Sequence, residues 1–200
     1  FQASSSEMFG VNENNLNENS SFNPNSPYAE AKLINHLRVK EIRENFDWPI
    51  YSGIMFNHES EFRNRSYLVM KIISSVKKIL SDPNERLALG SLEYIRDWTY
   101  ASDTVNAVYE VTTKGESFDY VIGSGKGNSI KDMVSYIFEY FDLDWNNYIE
   151  INQDLLREGD PLRIVSDPSK LKNEFNWETK TTFHQMLDIC IKGFNNLDSA

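Results

Sequence analysis

Tyr28 and Lys32 stand four residues apart in Ser26-Pro27-Tyr28-Ala29-Glu30-Ala31-Lys32, downstream of three serines and a carboxylate, Ser4-Ser5-Ser6-Glu7. On a helix, residues four apart share one face, a turn from each other. A phenol beside an ammonium gives up its proton more readily, because the positive charge favours the phenolate. Such a pair is a general base that can take a hydroxyl proton while a hydride leaves the carbon beneath it. A serine hydroxyl from a neighbouring strand end would hold the same oxygen. By itself a Tyr/Lys pair is also an ordinary feature of solvated helix surfaces, so the rest of the chain must supply the context.

The elements that would position these groups alternate between strand and helix patterns. Phe1 opens an apolar strand that reads as ending in Ser4-Ser5-Ser6-Glu7. Residues 11–25 form an asparagine-rich polar loop, and Pro27 suits the first turn of a helix over residues 28–45. Residues 49–56 (PIYSGIMF) read as a strand buried on both faces of a parallel sheet. Val69, Ile72, Ile73, Val76 and Ile79 mark one face of a helix over residues 66–80. Short strands are expected at 86–90, 94–98 and 118–123, an edge strand at 147–152, and helices at 102–113, 129–141 and 181–194. Asn128 is the expected cap of the helix at 129, and Asp167-Pro168-Ser169 reads as another helix start. This alternation implies an α/β fold.

Two hundred residues with 40% hydrophobic and 13% aromatic content suffice for a substantial core. A net charge of −10 argues against a nucleic-acid partner, which calls for a basic surface. A single cysteine, Cys190, excludes an intrachain disulfide framework and fits a reducing compartment; it reads as a buried helix residue. No apolar run reaches membrane-spanning length and no signal peptide is visible, so no membrane partner and a cytoplasmic location are expected.

Two further segments, Gly53-Ile54-Met55-Phe56-Asn57-His58-Glu59-Ser60 and Arg96-Asp97-Trp98, complete an order found in extended short-chain dehydrogenases/reductases. Within that superfamily the chain resembles the GDP-mannose 4,6-dehydratases, whose hallmark is the FNHES segment, from residue 1 to about residue 194. The resemblance implies the C-terminal part of a Rossmann-like doubly wound parallel sheet plus a smaller α/β substrate-binding domain. Residues 1–60 would be the catalytic remainder of the Rossmann-like domain and 61–200 mainly the sugar-nucleotide domain, with 94–123 returning to the sheet. It implies a lyase that uses NADP on a nucleotide sugar. The C4 hydroxyl is oxidised, water leaves across C5 and C6, and the hydride returns to C6. It also implies a homo-oligomer, dimer or tetramer, in the full-length form.

By the same resemblance Ser5 holds the C4 oxygen, where the family usually has Thr, and Ser6 could replace it if the register slips by one. Tyr28 is the base and Lys32 lowers its pKa and binds the nicotinamide ribose. Glu7 takes the C5 proton and helps the C6 hydroxyl leave. This carboxylate favours a dehydratase over an epimerase or reductase, although decarboxylating relatives also carry it. His58 and Arg63 match cofactor contacts, and Asn57, Lys71, Arg96, Arg157 and Asp160 match substrate contacts. The two arginines 96 and 157 suit a diphosphate, since guanidinium groups pair bidentately with phosphate oxygens.

The family's asparagine after Leu-Gly is Ser91 here, its Arg-Lys pair is Met70-Lys71, and its Arg-Pro-Thr-Glu stretch is Arg157-Glu158-Gly159-Asp160. These departures fall in the substrate half and leave another GDP-linked sugar open. The Gly-rich opening of a dinucleotide-binding fold is missing. Gly123-Ser124-Gly125-Lys126-Gly127 fits neither phosphate-binding pattern and reads as a tight turn. The chain is thus expected to be the second half of a longer enzyme and to bind a nicotinamide cofactor poorly alone. The competing readings are an epimerase, reductase or decarboxylase of nucleotide sugars, and a non-catalytic sugar-nucleotide-binding fragment.

Overall fold

A computed structural model gives the fold and describes residues 1–11, 15–116, 118–156 and 159–197, the side chains of 195–197 excepted. β1 (Gln2–Ser5) passes through a one-turn 3-10 helix (Ser6–Phe9) and the polar loop into α1 (Pro27–Phe46). β2 (Ser52–Met55) continues through Phe56 into β3 (Asn57–Glu59), followed by α2 (Leu68–Ser81) and β4 (Leu87–Leu89). β5 (Ile95–Arg96), β6 (Trp98–Tyr100), α3 (Ala101–Lys114) and β7 (Asp119–Ile122) come next. β8 (Asn128–Ser129), α4 (Ile130–Tyr140), β9 (Ile149–Ile151), β10 (Arg163–Ile164), α5 (Ser169–Phe175) and α6 (Phe183–Leu197) complete the described chain.

The central sheet has the order β1-β2-β7 and is wholly parallel, with Gln2 opposite Ser52 and Ser52 opposite Asp119. β2 lies between two partners, which is why its SGIM sequence is buried over most of its length. The expected strand at 94–98 is instead two strands. Arg96 pairs with Ile164 and Asn128 in one small sheet, whereas Trp98 pairs with Asn57 in another. The chain changes partners at Asp97, a fully buried carboxylate that accepts from the backbone N–H groups of Ser124, Gly125 and Ser166. The glycine-rich segment after β7 therefore wraps a carboxylate of the chain itself, as a tight turn.

Three apolar clusters pack the elements. The largest joins α2, α4, α6, β4 and Trp98; Val69, Ile72, Ile73, Val76 and Ile79 of α2 all lie within it, as the helical spacing predicts. A second collects Met8, Phe9, Leu16, Ile54, Phe56, Val121 and Ile164 around the sheet ends. A third packs α3 and α5 on β7. Cys190 is buried in the first cluster, and burial pushes its thiol up to about 12, consistent with an inert core residue.

Three local expectations are corrected. Ser6 and Glu7 leave the strand for the 3-10 turn. Asn57–Glu59 is itself a strand rather than a loop after one. The cap of α4 is Ser129, not Asn128: its Oγ accepts from Asp132 N at 3.0 Å, and the Asp132 carboxylate accepts from Ser129 N at 2.9 Å. Among the described residues no helix is long and apolar enough to cross a membrane.

Candidate active site

Glu7 is placed by its own backbone. Ser5, extended at the end of β1, caps the 3-10 turn by accepting from Glu7 N at 3.3 Å. Gly10 closes the turn at φ 61°, donating to Glu7 O at 3.3 Å. A Cβ at Gly10 would come within 1.8 Å of Asn23 O, so both the left-handed φ and the close approach require glycine there.

Tyr28 lies in the first turn of α1, where Ser26 Oγ accepts from Ala29 N at 3.1 Å and Pro27 occupies a position that needs no donor. The Lys32 ammonium reaches across to β1 and donates to Ala3 O at 2.8 Å, while standing 5.6 Å from the centre of the Tyr28 ring. One side chain thus ties the helix that carries the phenol to the strand that carries Ser5. A second tie lies one turn on, where Ser4 Oγ and His36 Nδ1 are 2.9 Å apart in a buried hydrogen bond.

β3 forms the facing wall. His58 Nδ1 lies 3.0 Å from Phe56 O. With Nδ1–H donating there, Nε2 is the nitrogen left for the cleft. Asn57 is anchored by its carbonyl, which accepts from Thr99 Oγ1 at 3.3 Å. Glu59 is 5% exposed, and burial outweighs the nearby Arg63 charge to raise its carboxyl to about 7. Arg63 lies over the Tyr67 ring, 3.7 Å from its centroid.

The cations at the far end are already engaged. Lys71 Nζ donates to Ala88 O at 2.9 Å. Arg96 is 8% exposed and donates to Ile95 O, to Leu162 O and, at 2.7 Å, to Asp160. Its guanidinium also lies 5.2 Å from the Tyr94 ring centroid. Arg96 and Asp160 were singled out separately as ligand contacts, and the fold pairs them with each other. Arg157 lies outside the described residues.

All the other candidates, Ser5, Glu7, Tyr28, Lys32, Asn57, His58, Arg63, Lys71, Arg96 and Asp160, line one cleft of about 900 Å³. Sequence reasoning missed Glu59, Tyr67 and Tyr94, which line it too, as does Ser91 at the position of the family's asparagine. Tyr94 had a readable signal, lying two residues before Arg96 in an alternating strand pattern. Glu59 sat within the FNHES hallmark but gave no sign of being buried. Among the described residues no cluster of side chains could hold a metal ion.

A sequence profile of the GDP-mannose 4,6 dehydratase family matches residues 1–190. The GDP-mannose 4,6 dehydratase 2 of Arabidopsis thaliana is 31% identical over 191 residues, covering 96% of this chain and 51% of the relative. The GDP-mannose 4,6 dehydratase of Drosophila melanogaster is 33% identical over 210 residues, covering 96% and 53%. The chain thus spans about half the length of these curated relatives. A crystal structure of a dTDP-glucose 4,6-dehydratase from Bacillus anthracis, in complex with NAD, superposes with a TM-score of 0.89 at 22% identity, over 98% of this chain and 61% of that one. That likeness is one of fold, the Rossmann-type α/β architecture. On the extent of the family match, this chain belongs to the GDP-mannose 4,6-dehydratase family.

Proposed function

We propose that the chain is the catalytic and sugar-binding half of a nucleotide-sugar 4,6-dehydratase, converting GDP-mannose to GDP-4-keto-6-deoxymannose. The observation that carries this reading is the shared cleft, which gathers a phenol and an ammonium from α1 and a hydroxyl and a carboxylate from the end of β1 and the turn after it. Tyr28 takes the proton of the C4 hydroxyl while Ser5 holds that oxygen, and Lys32 stabilises the phenolate. Glu7 then takes the C5 proton, made acidic by the ketone at C4, and delivers it to the departing C6 hydroxyl, so that water leaves. C5 must regain a proton when the hydride returns to C6, and the proton that Tyr28 took from the C4 hydroxyl, released through solvent, balances that uptake, while the oxygen at C4 stays a ketone in the product.

The residues present fit one end of a nicotinamide dinucleotide. Tyr28 and Lys32 stand beside the strand end, His58 offers Nε2 to the cleft, and Arg63 adds a cation. When bound, that cofactor supplies the acceptor and donor for the hydride that leaves C4 and returns to C6. NADP is proposed over NAD on family resemblance. On the substrate side, Asn57 and Lys71 would orient the sugar, Arg96 and Arg157 the diphosphate, and Asp160 the ribose. In this reading residues 1–60 and 94–123 belong with the Rossmann-like sheet and the rest of 61–200 with the substrate domain. The working form is a homo-oligomer in the cytoplasm.

The test is mass analysis of GDP-mannose incubated with the full-length protein and a catalytic amount of NADP. The expected product is lighter by one water, with no lasting accumulation of NADPH. Glu7→Gln should lower elimination by about 10²- to 10⁴-fold, the usual weight of one general acid–base group. A product of unchanged mass, a loss of CO₂, or full dehydration by Glu7→Gln would each sink the proposal.

A further inference from the structure

Glu59 ends β3 with its side chain turned inward, into the wall of the cleft beside His58. A buried carboxylate needs hydrogen-bond donors or an opposite charge. At Oε2 Glu59 has the charge without the hydrogen bond. Arg63 Nε stands 3.4 Å from its Oε2, yet neither atom makes a hydrogen bond among the described residues, and both are sealed from solvent. The guanidinium is meanwhile engaged with the Tyr67 ring.

Among the described residues, the other elements packed around Glu59 bring it no second counter-charge. From α6 the Cys190 thiol faces it, protonated and uncharged. Tyr100, opposite Glu59 in the β3–β6 register, donates its hydroxyl to Glu61 at 3.1 Å instead. Glu61 itself adds only negative charge. Arg63 is therefore the counter-charge on which an ionised Glu59 depends, and burial raises the carboxyl pKa further than this one charge lowers it.

Arg63 also faces the cleft, where an oxyanion would compete for the same guanidinium. We propose that Glu59 makes the binding of a phosphate-bearing ligand at Arg63 proton-linked: the oxyanion takes over the guanidinium charge, and Glu59 takes up a proton from solvent. Linkage makes this reciprocal, so acidification that protonates Glu59 frees Arg63 and tightens anion binding. The inference rests on reading Arg63 as a contact to a phosphorylated ligand and adds a control to that contact.

Sulfate is the probe, because its charge is constant across the range needed. The chain is titrated with sulfate at fixed ionic strength while NMR follows the Arg63 Nε–H signal. Sulfate should shift this signal, and the half-saturating concentration should fall about five- to tenfold between about pH 8.5 and about pH 5.5. Glu59→Gln should bind with no such pH dependence, and in Arg63→Gln sulfate should leave the titration midpoint of the Glu59 carboxyl unmoved. Should Glu59→Gln fail to melt cooperatively, the wild-type carboxyl signal of Glu59 decides, since sulfate must raise its titration midpoint. The same pH dependence in Glu59→Gln, pH-independent binding by the wild type, an unmoved Glu59 midpoint or no response at Arg63 would each overturn the proposal. Because the readout is a guanidinium proton rather than turnover, a failed dehydratase assay and a failure here are separate results.

Discussion

The two long helices bordering the cleft are held in place by opposite means. α2 buries Val69, Met70, Ile72, Ile73, Val76 and Ile79 in the largest apolar cluster. α1, with 20 residues, buries only Ala29 and His36. It is fastened by polar links: Lys32 to Ala3 O, Ser4 to His36, and Arg43 to Asp119 at 3.1 Å and to Ile50 O at 3.3 Å. Burying an apolar side chain is worth about 1.5–3 kcal/mol but has little directional content. A hydrogen bond is worth a net 0.5–1.5 kcal/mol, roughly, but only at the right distance and angle. The helix that carries Tyr28 and Lys32 is thus held weakly and specifically, and α2 strongly and loosely.

The largest expected effect tests the strong side. Ile73→Ala should cost about 2–5 kcal/mol in denaturant unfolding, because it empties volume in a packed core. Its turnover should stay near wild type under conditions where the variant remains folded. A turnover defect larger than the unfolded fraction explains would break the contrast.

The pH dependence of stability should separate the walls by sign. Glu59, raised from 4.5 to about 7, contributes stability that is fully present below 4.5 and lost as the pH rises to about 7. That loss is on the order of 3 kcal/mol for a carboxyl displaced so far. His36 is lowered from 6.5, chiefly by burial, so its contribution is present above 6.5 and lost as the pH falls. Melting curves of Glu59→Gln should therefore show stability falling toward acid more steeply than in the wild type. Those of His36→Phe should show it falling more steeply toward neutral pH. Parallel curves for the two variants would contradict the assignment.

The smallest stability effect is the most diagnostic. His36→Phe keeps a ring of similar size but removes the links to Ser4 and, at 3.6 Å, to Asp119. It should cost about 1–3 kcal/mol, the penalty for leaving buried polar groups unpaired. Its turnover should nonetheless fall further than that of Ile73→Ala, since Tyr28 and Lys32 ride on the loosened helix. Equal turnover in the two would mean that α1 needs no polar register.

This contrast also explains what the sequence could reveal. The periodic β-branched residues of α2 announced both helix and buried face, whereas the spacing of Tyr28 and Lys32 marked a candidate base on α1 without showing how that helix docks. Neither the 3-10 turn that aims Glu7 nor the pairing of Arg96 with Asp160 could be read in advance. The turn depends on Gly10 fitting against Asn23, and the pair joins residues 64 positions apart. The division of one expected strand into β5 and β6 is of the same kind, because the donors that receive Asp97 come from two distant loops. Local pattern recovered the elements; contacts remote in sequence set their ends and the charges between them.

Asp97 has one more consequence. Its carboxylate gathers the turns after β7 and after β10, and a Cβ at Gly123 would collide with Ser166 Oγ at 2.4 Å. The neighbouring guanidinium of Arg96 takes its address from that junction rather than from its own strand. Grafting the Arg-Asp-Trp tripeptide into a related scaffold would carry over the letters but not the location, unless Ser124 and Ser166 travelled with it. Divergence among such enzymes should accordingly occur in whole junctions, with the three loops exchanged as a set.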